Sequence, residues 1–327
     1  MKAAFLDWDS LNGEELDVSC LDSLPVQWQY FAKISSAELV DLIKDVDIIV
    51  SNKVVLNDEL LDLASQLKLI CVAATGTNNV DLKSAAKNNI PVCNVRGYAS
   101  ESVVQHVFML LLNLSRRLGL YQQAVRDGEW LTSEHFCFFN YPIESLTDKT
   151  LGIIGYGELG QAVARMASQF GMKILIAESV VEIPNRSNDI DRVSLETLLS
   201  EADFVNLHCP LTEQTHDLIG EKELALMKPS AMLVNTARGG IVNELALYNA
   251  LLSGQIAGAA TDVLVEEPPL KDNPLLAIHQ DNHLLNLIIT PHIAWGTRQA
   301  RQQLIEKVAA NISSWLNGAV INQVNKT

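Results

Sequence analysis

The chain reads as an α/β protein made of two doubly wound parallel-sheet domains, one inserted into the other. Three observations lead there. A Gly-x-Gly-x-x-Gly spacing, Gly155, Gly157 and Gly160, falls near mid-chain rather than at the start. Short apolar runs alternate with helical stretches on both sides of it, the rhythm of strands joined by crossover helices. A closing helical stretch, Thr297 to Leu316, then returns the chain to where it began. The 327 residues are enough to bury two cores. The expected division assigns residues 1–100 and 292–327 to one domain and 101–291 to the inserted one.

Before the glycine motif, strand-like runs at Ala3 to Leu6, Ile48 to Val50, Leu69 to Ala73 and Pro91 to Asn94 alternate with helical stretches such as Ser36 to Lys44 and Asn57 to Ser65. Residues Ser100 to Leu118 follow with Val103, Val107, Leu110, Leu111, Leu114 and Leu118 on an apolar face. This helix reads either as the crossing into the inserted domain or as part of a helical interface between subunits. The stretch from Tyr121 to Pro142, with Trp130, Phe136, Phe138, Phe139 and Tyr141, reads as an irregular aromatic arm around a partner subunit.

Residues 151 to 155 form a short buried strand in this reading. Leu159, Ala162, Val163, Met166, Ala167 and Phe170 then recur at helical spacing until Gly171, and Lys173 to Ala177 makes a second strand that delivers Glu178 at its end. Each part of this βαβ unit has a task. Gly155 permits the tight turn, Gly157 lets the backbone approach a pyrophosphate, and Gly160 allows the helix to pack closely on the strand. Free N–H groups at the helix start hold phosphate. A carboxylate ending the second strand accepts from ribose hydroxyls and repels a 2′-phosphate, so Glu178 favours NAD over NADP, an argument that Ser179 weakens slightly. Further strands are expected at Phe204 to Leu207, Ala231 to Asn235, Gly258 to Asp262 and Leu287 to Thr290.

There are 24 basic against 39 acidic side chains, a net charge of −15, and no basic stripe. Such a field disfavours nucleic acid and anionic membrane as partners, and a small anionic substrate needs local positive charge. The five cysteines, Cys20, Cys71, Cys93, Cys137 and Cys209, are odd in number and lack Cys-x-x-Cys pairing, so they read as reduced thiols. The start of the chain carries too short an apolar run for a signal peptide, and nothing approaches the roughly 18 apolar residues of a membrane span. A cytoplasmic location is expected, and no metal.

In a doubly wound sheet, ligands bind beyond the carboxyl ends of the strands. Three loops there carry reactive groups: Asn235 to Gly240 with Arg238, Asp262 to Pro268 with Glu266 and Glu267, and Thr290 to Trp295 with His292. Arginine, glutamate and histidine make a workable set for reducing a 2-oxo acid. With Gly155 to Gly160, His208-Cys209-Pro210-Leu211-Thr212, Asn235-Thr236-Ala237-Arg238-Gly239, Asp262-Val263 followed by Glu267-Pro268, and Pro291 to Trp295 in this order, the chain resembles the D-isomer-specific 2-hydroxyacid dehydrogenase family over nearly its whole length. Within that family it is most similar to the glycerate dehydrogenase or hydroxypyruvate reductase branch.

The resemblance implies a Rossmann NAD-binding domain inserted into a flavodoxin-like substrate domain. It implies that Arg238 binds the substrate carboxylate and polarises the 2-oxo group, which suits a permanently charged planar fork. His292 becomes the acid that protonates the carbonyl oxygen, apt for a group whose ordinary pKa is about 6.5, and Glu267 the carboxylate that fixes its tautomer and favours the imidazolium. Glu266 reads as solvated. NAD is placed against Gly155, Tyr156, Gly157, Glu158, Leu159, Gly160, Glu178, His208, Cys209, Pro210, Thr236, Ala237, Arg238, Asp262 and His292. Asp262 is placed at the nicotinamide amide, and His208 is not expected to be catalytic. Substrate contacts fall on Lys53, Thr75, Gly76, Thr77, Arg238 and Trp295, although Lys53 reads equally as a surface lysine and the Thr75 loop as an ordinary glycine turn. The family also implies a homodimer. A glutamine in place of Glu267 would have pointed to a formate dehydrogenase, and a long phosphoglycerate dehydrogenase would carry more chain after His292. An NAD-sensing corepressor-like binding protein and a dehydrogenase for another 2-hydroxy acid are the alternatives.

Overall fold

The computed structural model describes residues 1–180, 190–281 and 285–326. It divides into two compact units, Met1–Ala99 with Trp295–Thr327, and Ser100–Ala294. His292 to Ala294, expected with the first domain, belong to the second because Asp262 accepts their backbone N–H groups.

The first unit holds five strands, β1 Lys2–Phe5, β2 Gln27–Tyr30, β3 Ile48–Ser51, β4 Leu69–Val72 and β5 Val92–Cys93. They form one parallel sheet in the order β2-β1-β3-β4-β5, the flavodoxin-like order. Strands buried on both faces read as continuous apolar runs. Accordingly Phe5, Val50 and Cys71 point into one core with Leu304, Ile305, Val308 and Ile312 of the closing helix Arg298–Leu316, while Ala4, Ile49 and Ile70 point into another with Leu39, Ile43 and Leu61. Strand β2 was not expected. It is a polar edge strand, mostly exposed, and an edge needs only one partner, so no apolar run marks it.

In the second unit six strands, β6 Thr150–Ile154, β7 Lys173–Ile176, β8 Phe204–Leu207, β9 Met232–Asn235, β10 Gly258–Thr261 and β11 Leu287–Ile289, pair in parallel in the order β11-β10-β9-β8-β6-β7. From β6 the chain moves outward to β7 and then crosses back to β8 on the other side. The switch point, where doubly wound folds open a crevice, therefore lies between β6 and β8. The helix Ser100–Arg116 ends sooner than its pattern suggests, because Arg117 adopts φ 51°. The arm beyond it is not wholly irregular: Leu118–Arg126 is helical and Glu129–Thr132 makes a 3-10 turn. Only Ala124 of that helix is buried, so its apolar signal is weak. No described helix is long and apolar enough to cross a membrane.

Candidate active site

At the β6–β8 switch point the glycines act as the backbone requires. Gly155 has φ 94°, and a Cβ there would stand 2.4 Å from Cys209 N. A Cβ on Gly160, in the first turn of the helix Glu158–Gln169, would stand 2.2 Å from the Gly155 carbonyl oxygen. Gly157 differs from both: it is exposed, caps the helix, and its Cβ would meet nothing within 4 Å. Two glycines are thus demanded by packing, while the third leaves open space beside free helix N–H groups, the cradle a pyrophosphate needs. Around it, Glu158 accepts from Ser100 Oγ at 2.5 Å, and the Arg192 guanidinium lies 5.7 Å from the Tyr156 ring centroid and donates to Ala177 O. Leu159 lines the same first turn, and Glu178 is exposed just past β7, its N–H given to Val193 O.

The loop after β8 carries His208, Cys209 and Pro210. Both ring nitrogens of His208 are buried and bond to no described group, and burial pushes its pKa down to about 4. The ring is a neutral one, unsuited to proton transfer near neutral pH. Burial likewise pushes the Cys209 thiol up to about 11.

Three further loops leave the carboxyl ends of β9, β10 and β11, and the chain ties them together. After β9, Asn235 accepts from Ala237 N at 3.0 Å and donates to Arg238 O at 2.9 Å, a clamp that shapes Thr236, Ala237 and Arg238 into a tight turn. Arg238 Nη1 donates to Ala237 O at 2.7 Å. The next residue must be glycine, since a Cβ on Gly239 would fall 1.9 Å from Leu264 O. The arginine loop therefore lies directly against the loop after β10. There Leu264 N donates to Glu267 Oε1 at 2.9 Å, and Glu244 accepts from Val265 N and Asn273 Nδ2, both at 2.7 Å.

Glu267 reaches across to the third loop, where its Oε2 lies 2.6 Å from His292 Nδ1. The two side chains are 34% and 25% exposed, so the pair faces solvent only in part. His292 has φ 54°, rare for a residue with a side chain. Asp262, 1% exposed, holds it so: its carbonyl accepts His292 N at 2.8 Å, Oδ1 accepts Ile293 N at 2.9 Å, and Oδ2 accepts Ala294 N at 2.8 Å.

Arg238, Glu267 and His292 thus share one set of interlocked loops in the second unit, with Thr236, Ala237 and Asp262. Lys53, Thr75, Gly76, Thr77 and Trp295 belong to the first unit. There Asp7, buried at the β1–β3 switch point, accepts the N–H groups of Asn52, Lys53 and Val54. Its carboxyl is raised by that burial against the lowering effect of the same bonds. Thr75 Oγ1 donates to Val95 O, and the Trp295 ring stands edge-on to Tyr98 at 6.3 Å.

A phosphate cradle at a switch point, in the same unit as an arginine and a carboxylate-paired histidine, is the equipment of a nucleotide-dependent oxidoreductase. Residues 108–294 match the family model described as the D-isomer specific 2-hydroxyacid dehydrogenase NAD-binding domain. The chain belongs to that family. Among its relatives, glycerate dehydrogenase of Methylorubrum extorquens is 40% identical over 99% of this chain and 98% of the relative, and hydroxypyruvate reductase of Blautia hydrogenotrophica is 35% identical over 100% of both. A D-isomer specific 2-hydroxyacid dehydrogenase from Lactobacillus delbrueckii ssp. bulgaricus, solved in its NAD-complexed form, superposes with a TM-score of 0.79 at 25% identity over 99% of each chain. This dehydrogenase therefore carries its NAD-binding domain in the second unit.

Sequence reasoning missed the residues that hold Arg238, Glu267 and His292 in place. Asn235, Glu244, Thr290 and His106 had no reading as site residues. One signal was available: His106 interrupts the apolar stripe that runs through Val103, Val107 and Leu110.

Proposed function

We propose that this chain reduces a small 2-oxo acid, hydroxypyruvate or glyoxylate in preference, to its D-2-hydroxy acid with NADH, and catalyses the reverse oxidation. The observation that carries this reading is the 2.6 Å pair of Glu267 and His292 on a loop packed against the arginine turn. NAD supplies or accepts the hydride when bound. Gly155, Gly157, Gly160 and the first turn at Glu158 and Leu159 receive its pyrophosphate, Tyr156 and Glu178 its adenosine end, and His208, Cys209 and Pro210 the nicotinamide ribose, with Thr236 and Ala237 nearby. Asp262 is the proposed acceptor for the carboxamide N–H: among the described residues its Oδ2 takes one donor, Ala294 N, and a carboxylate oxygen can accept two.

Arg238 holds the substrate carboxylate and polarises the 2-oxo group through charge-assisted bonds. With Nδ1 committed to Glu267, His292 directs Nε2 to the carbonyl oxygen and gives up its proton there as the alkoxide develops. Glu267 fixes the tautomer and stabilises the charged ring, as the aspartate of a serine protease does for its histidine. From the first unit, Lys53, Thr75, Gly76, Thr77 and Trp295 are the proposed substrate contacts, the first four on loops at the carboxyl ends of β3 and β4. The protein acts as a homodimer. The support is the arm, where Trp130 is 53%, Leu131 91%, Phe136 89% and Phe139 76% exposed, four large apolar side chains within ten residues of chain that a partner surface would cover. Sedimentation at the protomer mass would defeat the dimer.

Screening NADH oxidation against a panel of 2-oxo acids tests the reading. Hydroxypyruvate or glyoxylate should be turned over best, and Arg238→Ala or His292→Ala should lower turnover by roughly a hundredfold or more while each variant stays folded. Wild-type rates in either variant would refute the roles given to them.

A further inference from the structure

A chain of hydrogen bonds leads away from His292 to a residue on a different element. Thr290 Oγ1 lies 2.5 Å from Asp262 Oδ1, and His106 Nε2, from the helix Ser100–Arg116, lies 3.0 Å from Thr290 Oγ1 and 3.5 Å from Asp262 Oδ1. Both side chains at the far end are enclosed: His106 is 11% exposed and Asp262 1%.

The protons in this chain can be assigned by counting. Both Asp262 oxygens receive backbone N–H groups, from Ile293 and Ala294, which is the arrangement of a carboxylate. A threonine hydroxyl has one proton, and the 2.5 Å contact with the carboxylate uses it. Thr290 Oγ1 therefore has only lone pairs to offer His106, and His106 Nε2 must be the donor. Burial also pushes the His106 ring below its ordinary pKa, opposed by Asp262, so a neutral ring with its proton on Nε2 meets the requirement.

Resting on the dehydrogenase reading above, we infer that His106 is a positioning residue for His292: its Nε2–H, relayed through Thr290 and Asp262, fixes the left-handed turn at which His292 meets Glu267. Asp262 is the joint of this device. Its side chain receives Thr290 and the two N–H groups after His292, and its own N–H is given to Asn235 O at 2.9 Å, at the head of the arginine turn. Loss of the His106 donor leaves Thr290 and Asp262 without an outer anchor and lets the His292 turn relax. A displacement of about 1 Å at a reacting group costs up to about a hundredfold in rate.

The experiment compares His106→Leu, which keeps bulk and removes the donor, with His106→Gln, which restores an N–H. Three readouts are taken: kcat, the Kd for NADH, and hydrogen exchange of the Ile293 and Ala294 amides in cofactor-free protein. The expected result is that His106→Leu lowers kcat about tenfold or more, weakens NADH binding by a smaller factor than it lowers kcat, and speeds exchange at both amides, and that His106→Gln recovers most of each loss. Wild-type kcat and exchange in His106→Leu would overturn the inference, as would a glutamine variant no better than leucine. Should His106→Leu not fold, Thr290→Val against Thr290→Ser decides in the same way, the serine alone retaining the relay. A wild-type protein inactive on every 2-oxo acid would defeat the dehydrogenase reading instead, and amide exchange would still judge the relay.

Discussion

Replacing Glu267 by glutamine keeps the shape of the side chain and removes its charge. In the native protein Oε1 accepts from Leu264 N and Oε2 from His292 Nδ1 at 2.6 Å. Glutamine has one carbonyl oxygen: if it keeps the first bond, its NH2 faces Nδ1 and can bond only to a neutral ring with the proton on Nε2, so a charge-assisted bond is exchanged for a reversed, neutral one. Charged bonds contribute about 1.5–3 kcal/mol and neutral ones about 0.5–1.5, so the loss is about 1–1.5 kcal/mol. Because the partners are 34% and 25% exposed, solvent screening holds the figure to the lower end. At about 1.4 kcal/mol per tenfold, the step that needs the charged ring slows roughly five- to tenfold. Glu267→Ala removes both anchors and leaves the imidazole unaimed, an effect nearer to a hundredfold. Steady-state NADH oxidation at saturating 2-oxo acid, with NADH binding followed by fluorescence, separates chemistry from cofactor binding. Wild-type kcat in Glu267→Ala would refute the reasoning.

Gly157→Ala should leave Tm unchanged and weaken NADH binding severely, whereas Gly160→Ala forces a Cβ to 2.2 Å from Gly155 O and should cost about 1–3 kcal/mol of stability as well; tight NADH binding by Gly157→Ala would remove the cradle from the account. His208, held near pKa 4 by burial against about 6.5 unfolded, binds its proton more readily in the unfolded chain between those values. Its contribution is therefore intact above about pH 6.5 and is lost as pH falls toward 4, by up to about 3 kcal/mol. A His208→Gln variant should show a flatter stability curve over that window, and parallel denaturation curves for the two proteins would contradict the assignment.

Most strands were legible because strands buried on both faces must be apolar throughout, and each of the ten expected runs overlaps one. Strand β2 was not, since an edge strand with Gln27, Gln29 and Tyr30 outward carries no such mark. The residues proposed to react were legible for a different reason. Arg238, Glu267 and His292 sit in short segments where glycine, proline and small residues leave few other readings. What holds them was hidden by distance along the chain: His106 lies 184 residues from Thr290, and no local pattern connects them. The left-handed backbone of His292 was equally invisible, because glycine is the usual mark of such a turn and here Asp262 enforces it through hydrogen bonds.

The most direct test of the central claim is the handedness of the product formed from hydroxypyruvate and NADH deuterated at the transferred position of C4. The account predicts D-glycerate alone, with deuterium at C2 and one NADH consumed per molecule formed. Formation of the L-acid, or a product without the label, would contradict it.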